Sequence, residues 1–128
     1  HLNGIKDELT AVENLTIYAR FAGLAADEPR LRDALHQMGL KGRADLPSKV
    51  LSQGQKRRVA LARLLLGGTT LWVLDEPFTA LDTRAIDLLQ TVITQHLGSG
   101  GLVMFTTHQD VEISAGAHCH INLDTWAN

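Results

Sequence analysis

The stretch Leu51–Asp82 decides the fold: it opens LSQGQKRRVALARLLL over residues 51–66 and closes LWVLDEPFTALD over residues 71–82. Ser52 and Gln55 have the spacing of a capping box, in which each side chain satisfies the other residue's backbone N–H. The spacing predicts a helix running through Val59, Leu61, Leu65 and Leu66 to a stop at Gly67-Gly68. Leu71 to Leu74 is a short apolar run that predicts a strand buried on both faces. That strand would deliver Asp75 and Glu76 at its C-terminal end, where open α/β sheets place their chemistry.

Downstream, Asp82 or Thr83 is expected to cap a helix with Ile86, Leu89, Val92, Ile93 and Leu97 inward, ended by Gly98, Gly100 and Gly101. Leu102 to Phe105 predicts a second apolar strand, carrying Thr106, Thr107 and His108 to the same sheet edge. A weak helix is expected near 110–115, then a strand in which Ala117, Cys119, Ile121 and Leu123 alternate with His118, His120 and Asn122. Trp126 to Asn128 is expected to fray.

Upstream, Thr10 and Glu13 form a capping box for a helix over about 11–23, with Val12, Leu15, Tyr18 and Ala22 as its inward stripe. Asp27 and Pro29 open another helix, with Leu31, Ala34, Leu35 and Met38 inward and Gly39 as its left-handed stop. Lys41 to Val50, containing Gly42, Pro47 and Ser48, is a connector.

The sequence has 128 residues, room for one domain, and 45% hydrophobic with 20% charged residues argues against a disordered chain. Twelve basic against fourteen acidic residues give a net charge of -2, so no global positive field points to nucleic acid or acidic lipid. The single Cys119 excludes an internal disulfide and fits a reducing compartment. No apolar run approaches the roughly 18 residues needed to cross a bilayer. The chain lacks an initiator methionine and reads as a truncation that starts inside a larger protein.

Asp75 has the chemistry of a Mg²⁺ ligand and Glu76 that of a base for an attacking water. Ser52, at a helix N-terminus beside Gly54, has the setting of an anion site. Lys56, Arg57 and Arg58 read as a solvated face or an anion-steering cluster rather than a nucleic-acid contact. His118 and His120 read as ordinary surface residues.

The segments LSQGQ, LWVLDEP, TALD and TTHQ occur in the order of the signature motif, Walker B strand, D-loop and switch region of ATP-binding-cassette (ABC) ATPases, which the chain resembles. GIKDELTAVENL and the early end after TTHQD make it most similar to the ATP-binding subunits of cytochrome c biogenesis haem exporters. The resemblance implies an α/β fold: part of a P-loop NTPase, with a partial helical and signature subdomain over 1–67 and the C-terminal part of a RecA-like parallel-sheet core over 68–128. It implies Mg²⁺ at Asp75, activation of the hydrolytic water by Glu76 and contact of His108 with the γ-phosphate. Ser52, Gln53, Gly54 and Gln55 would face ATP held by a second ATP-binding subunit, and Leu81 and Asp82 would lie in the D-loop between subunits.

The implied partners are that second subunit and integral membrane transporter subunits, at the cytoplasmic face of the bacterial inner membrane. Gln53 stands where the signature motif usually has its first glycine, and His1-Leu2-Asn3 occupy the expected place of the Q-loop glutamine. No GxxxxGK[ST] phosphate loop occurs in the sequence, so the isolated chain is expected to be inactive and to self-associate through exposed strand edges. The alternatives are an ABC exporter of another cargo, a non-transport ABC ATPase of DNA repair, and a non-catalytic interaction module.

Overall fold

The computed structural model describes residues 4–25, 27–113 and 116–123. The Thr10 capping box forms as its spacing predicts: the Glu13 amide donates to Thr10 Oγ1 at 3.1 Å and the Thr10 amide to Glu13 Oε1 at 3.0 Å. Such a cap is worth about 1 kcal/mol. It opens α1, Ala11–Phe21.

The buried stripe of α1 is Ala11, Leu15 and Ala19 together with Asn14, while Val12 and Tyr18 are half-buried and Ala22 is exposed. Of the expected Val12-Leu15-Tyr18-Ala22 stripe only Leu15 is fully buried, and Asn14 supplies the reason. Its Oδ1 accepts from the Lys6 amide at 2.8 Å, and its Nδ2 donates to Thr10 O at 3.0 Å and Ser48 Oγ at 3.1 Å. A buried amide needs those partners, and meeting them turns this face of the helix inward.

Helix α2, Glu28–Gln37, is capped by Asp27, which accepts from the Arg30 amide at 3.0 Å. Leu31, Ala34, Leu35 and Met38 are buried as predicted, and Gly39 takes φ 75°, the left-handed stop. After a 3₁₀ turn at Ser48–Val50 comes α3, Gln53–Ala62. Its last turn tightens into a further 3₁₀ turn, Arg63–Leu65, instead of continuing as α-helix to Gly67. Helices α1, α2 and α3 pack on one another.

The basic cluster on α3 is not a solvated face. Arg57 is buried, and Lys56, whose side chain is only 15% exposed, pairs with Asp7 at 2.8 Å. Arg58 Nη1 donates to Met38 O at 3.2 Å, closing the C-terminal end of α2. All three cations are spent on intramolecular contacts, as guanidinium groups near helix ends often are.

The remaining elements are β1, Leu71–Asp75, α4, Thr83–Gly98, and β2, Leu102–Thr106. The strands pair in parallel, from Leu71 opposite Leu102 to Asp75 opposite Thr106, with α4 as the crossover helix that such pairing requires. Asp82 caps α4 by accepting from the Ala85 amide at 2.8 Å. Leu89, Val92 and Ile93 of α4 are buried, and the His96 ring stacks on Trp72 with centroids 3.7 Å apart. His96 Nε2 also lies 2.8 Å from Thr70 O, fixing the end of α4 to the start of β1.

The strands are buried on one face, not both. Trp72 and Leu74 are enclosed, whereas Leu71 (49%), Val73 (68%), Leu102 (60%) and Met104 (62%) are exposed. Their apolar composition suits two covers, and the described elements supply one. The C-terminal expectations also change. Residues 110–113 are not helical and 114–115 lie outside the described residues. No strand forms over 117–123, and Ile121 and Leu123 are exposed. Alternation alone does not make a strand stable without a neighbour, and among the described residues the sheet consists of β1 and β2. His118 and His120 are exposed, as expected of surface residues. The expected fraying tail at Trp126 to Asn128 and the Q-loop position at His1-Leu2-Asn3 lie outside the described residues.

Candidate functional site

Parallel pairing brings the ends of β1 and β2 level, so residues 31 positions apart in sequence become neighbours. Thr106 Oγ1 donates to Asp75 Oδ1 at 2.6 Å and accepts from the Glu76 amide at 3.0 Å. One hydroxyl thus holds a carboxylate oxygen and the backbone of the next residue. Just beyond β2, His108 Nε2 lies 3.1 Å from Glu76 Oε1. Thr106 thus joins Asp75 to Glu76, and Glu76 meets His108, where the two strands end. Asp75 and His108 are exposed there, while the Glu76 side chain is largely shielded at 27% exposure.

The turn after β1 is strained in two places. Glu76 has φ 47° and Ala80 φ 64°, both in the left-handed region that costs a non-glycine residue about 1–2 kcal/mol. Between them Pro77 and Phe78 are buried, with the Phe78 ring edge-on to Phe105 at 5.7 Å. Arg57 Nη2 donates to Asp75 O at 3.0 Å and also to Glu76 O. Packing and hydrogen bonds hold the turn in its unusual conformation, which aims the Glu76 side chain across the sheet edge towards His108.

The second group of predicted residues sits at the start of α3. Gln55 N donates to Ser52 Oγ at 3.1 Å and Ser52 N to Gln55 Oε1 at 2.9 Å, the reciprocal capping box. Ser52 and Gln53 are exposed, so this helix N-terminus faces outward with its positive dipole end. Gly54 packs against the strained turn, where a Cβ would stand 2.8 Å from Ala80 O. Leu81 is half-buried against the core, and the Asp82 carboxylate is used as the cap of α4. The structure thus yields two polar groups, the 75/76/106/108 edge and the 52–55 helix start, with the residue 76–80 turn between them. Among the described residues no set of three or more His, Cys, Asp or Glu side chains converges as a ready-made metal site.

Residues 1–79 match the family model described as ABC transporter. The chain belongs to the ABC transporter family. It is similar to proteins named cytochrome c biogenesis ATP-binding export protein CcmA: 58% identical over 117 residues to that of Nitrosospira multiformis, and 54% over 123 residues to that of Nitrosomonas europaea. Those alignments cover 91% and 96% of this chain but 57% and 58% of the relatives, so the chain spans somewhat over half their length. A solved structure described as the ATP binding subunit of an ABC transporter superposes with a TM-score of 0.71 at 29% identity, covering 83% of this chain and 45% of that one. The fold is accordingly that of an ABC ATPase domain, a mixed α/β P-loop NTPase architecture, represented in part. No helix of the described residues is long and apolar enough to cross a membrane.

Two residues central to the geometry of this ABC transporter chain escaped the sequence reading. Thr106 was visible only as the end of an apolar strand, because its role depends on the register with Asp75. Arg57 was read with its charged neighbours, because its carbonyl partners lie 18 and 19 residues downstream, beyond the reach of local spacing.

Proposed function

We propose that the chain provides the signature and hydrolysis portions of an ATP-binding subunit that powers haem export, or release of a haem chaperone, in cytochrome c maturation. The observation that carries the proposal is the linkage of Asp75, Thr106, Glu76 and His108 where the two strands end, beside an outward-facing, capped α3 start, in a chain more than half identical to CcmA proteins. In this reading residues 1–67 belong to the helical and signature subdomain and residues 68–128 to the RecA-like core.

Asp75 contributes one exposed carboxylate oriented by Thr106, a donor that suits Mg²⁺, which takes one or two carboxylates and completes its shell with water and substrate phosphates. Bound there, the ion would neutralise charge on the β- and γ-phosphates. Glu76 accepts a proton from the attacking water, and the adjacent His108 presents a ring nitrogen towards the γ-phosphate. Ser52, Gly54 and Gln55 present the positive dipole end of α3 to ATP held by the second subunit of a dimer, with Gln53 on the exposed side of the same turn. Leu81 and Asp82 form the D-loop leading to that interface. The protein's work is positioning and electrostatic stabilisation of a transferring phosphoryl group. Partner membrane subunits receive the motion at the cytoplasmic face of the inner membrane.

The test is Glu76→Gln in the full-length protein. Turnover of ATP falls by about 100-fold or more, the usual contribution of a positioned base, while ATP binding persists. Unchanged turnover removes Glu76 from this role. The 128-residue chain, whose sequence contains no GxxxxGK[ST], shows no saturable MgATP binding by calorimetry; tight binding would contradict the assignment of the remaining phosphate contacts to the rest of the protein.

A further inference from the structure

We propose that Arg57 is a positioning residue that ties the setting of the α3 start to the backbone carrying Asp75 and Glu76. The inference rests on the proposed role of Glu76. Arg57 is only 9% exposed, and its guanidinium reaches across to the carbonyl oxygens of two successive residues, Asp75 and Glu76. Those carbonyls belong to the peptide units immediately following each carboxylate residue. A planar guanidinium with fixed donor directions is suited to such a bridge, and a lysine ammonium would act there as a point charge.

The link has a second point of attachment. Gly54 lies three residues earlier on the same helix, and its backbone approaches Ala80 O so closely that a Cβ would be 2.8 Å away. Helix α3 therefore grips the turn at both ends, Arg57 at Glu76 and Gly54 at Ala80, and both gripped residues have left-handed φ angles of 47° and 64°. A turn held in a strained conformation by its surroundings follows those surroundings when they move. The buried Pro77 and Phe78 fill the space between the grips, leaving little slack. Any shift of the Ser52 end of α3, such as closure on a partner-held phosphate, is passed to the Glu76 backbone and so to the carboxylate beside His108. The signature helix thereby sets the base of its own chain while its N-terminus faces outward.

The experiment uses the full-length protein with Arg57→Met and Arg57→Lys, each alone and in the Glu76→Gln background, after Glu76→Gln alone has been measured. Arg57→Met lowers kcat by about 10- to 100-fold, the loss that follows a small misplacement of a reacting group, with KM and ATP affinity within about twofold of wild type. In the Glu76→Gln background Arg57→Met produces no further loss, because the residue acts through Glu76. Equal losses in both backgrounds, a rise in KM in step with the fall in kcat, or wild-type turnover overturns the proposal. Should Arg57→Met fail to fold, Arg57→Lys is read by the same criteria. Unaltered turnover in Glu76→Gln alone overturns the base assignment first, and this inference with it.

Discussion

Replacing Thr106 by Val removes one hydroxyl and almost nothing else, which makes its consequence calculable. The hydroxyl donates to the Asp75 carboxylate at 2.6 Å and accepts from the Glu76 amide at 3.0 Å. A hydrogen bond to a charged group contributes about 1.5–3 kcal/mol and a neutral one about 1 kcal/mol when buried. Both lie at an exposed sheet edge, where water replaces the lost partner, so the expected destabilisation is about 1–2 kcal/mol in total. With a urea m-value of about 2 kcal/mol/M that moves the unfolding midpoint down by about 0.5–1 M. Release of the carboxylate and of the strained Glu76 backbone lowers ATP turnover by about tenfold, equivalent to 1.4 kcal/mol of misorientation. Urea unfolding and steady-state hydrolysis of the full-length protein measure both effects, and Thr106→Ser preserves them. A Val variant matching wild type in midpoint and turnover would refute the argument that Thr106 orients this edge.

Other perturbations reach different parts of the molecule. Gly54→Ala forces a Cβ to within 2.8 Å of Ala80 O, a backbone atom in a packed turn, and costs about 1–3 kcal/mol in thermal unfolding. Hydrogen bonds from Arg32 hold the Asp45 carboxyl below its ordinary value of 3.8, so its contribution to stability is complete above that value and is lost as the pH falls below it. Asp45→Asn consequently flattens the acid limb of the stability-against-pH curve, measured by urea unfolding between neutral pH and pH 3, and a limb unchanged in shape would contradict the linkage. The apolar sheet face makes the isolated 128-residue chain self-associate, and Val73→Lys reduces that association; sedimentation of both over a range of concentrations decides.

The local punctuation of the chain was legible because its information is short-range. The Thr10-Glu13 and Ser52-Gln55 boxes, the Asp27 and Asp82 caps and the Gly39 stop each involve residues no more than a turn or two apart. The apolar stripe of α2 was legible for the same reason. What failed was whatever depended on a distant partner. Asn14 turns α1 through Ser48, 34 residues away, so apolar periodicity alone placed the stripe wrongly. The uniform apolarity of Leu71 to Leu74 describes a sheet with two covers, and its exposure here reflects which elements surround it. Arg57 finds its carbonyl partners 18 and 19 residues downstream, where no charge pattern announces them. The order of Asp75, Glu76 and His108 could be read in sequence, but their linkage depends on the register that sets Asp75 opposite Thr106.

The Trp72–His96 stack provides an optical reporter. The sequence contains two tryptophans, Trp72 and Trp126, so Trp126→Phe leaves a single indole. Trp72 is 5% exposed and lies nearly parallel to the imidazole at the C-terminal end of α4, with 6° between the ring planes. Separation of α4 from β1 would move that indole from a dry, stacked setting into water and shift its emission to longer wavelength. Far-ultraviolet circular dichroism would follow α1 to α4 at the same time. Any lag between the two signals would resolve loosening of the crossover helix from melting of the α1–α3 bundle, without an added label.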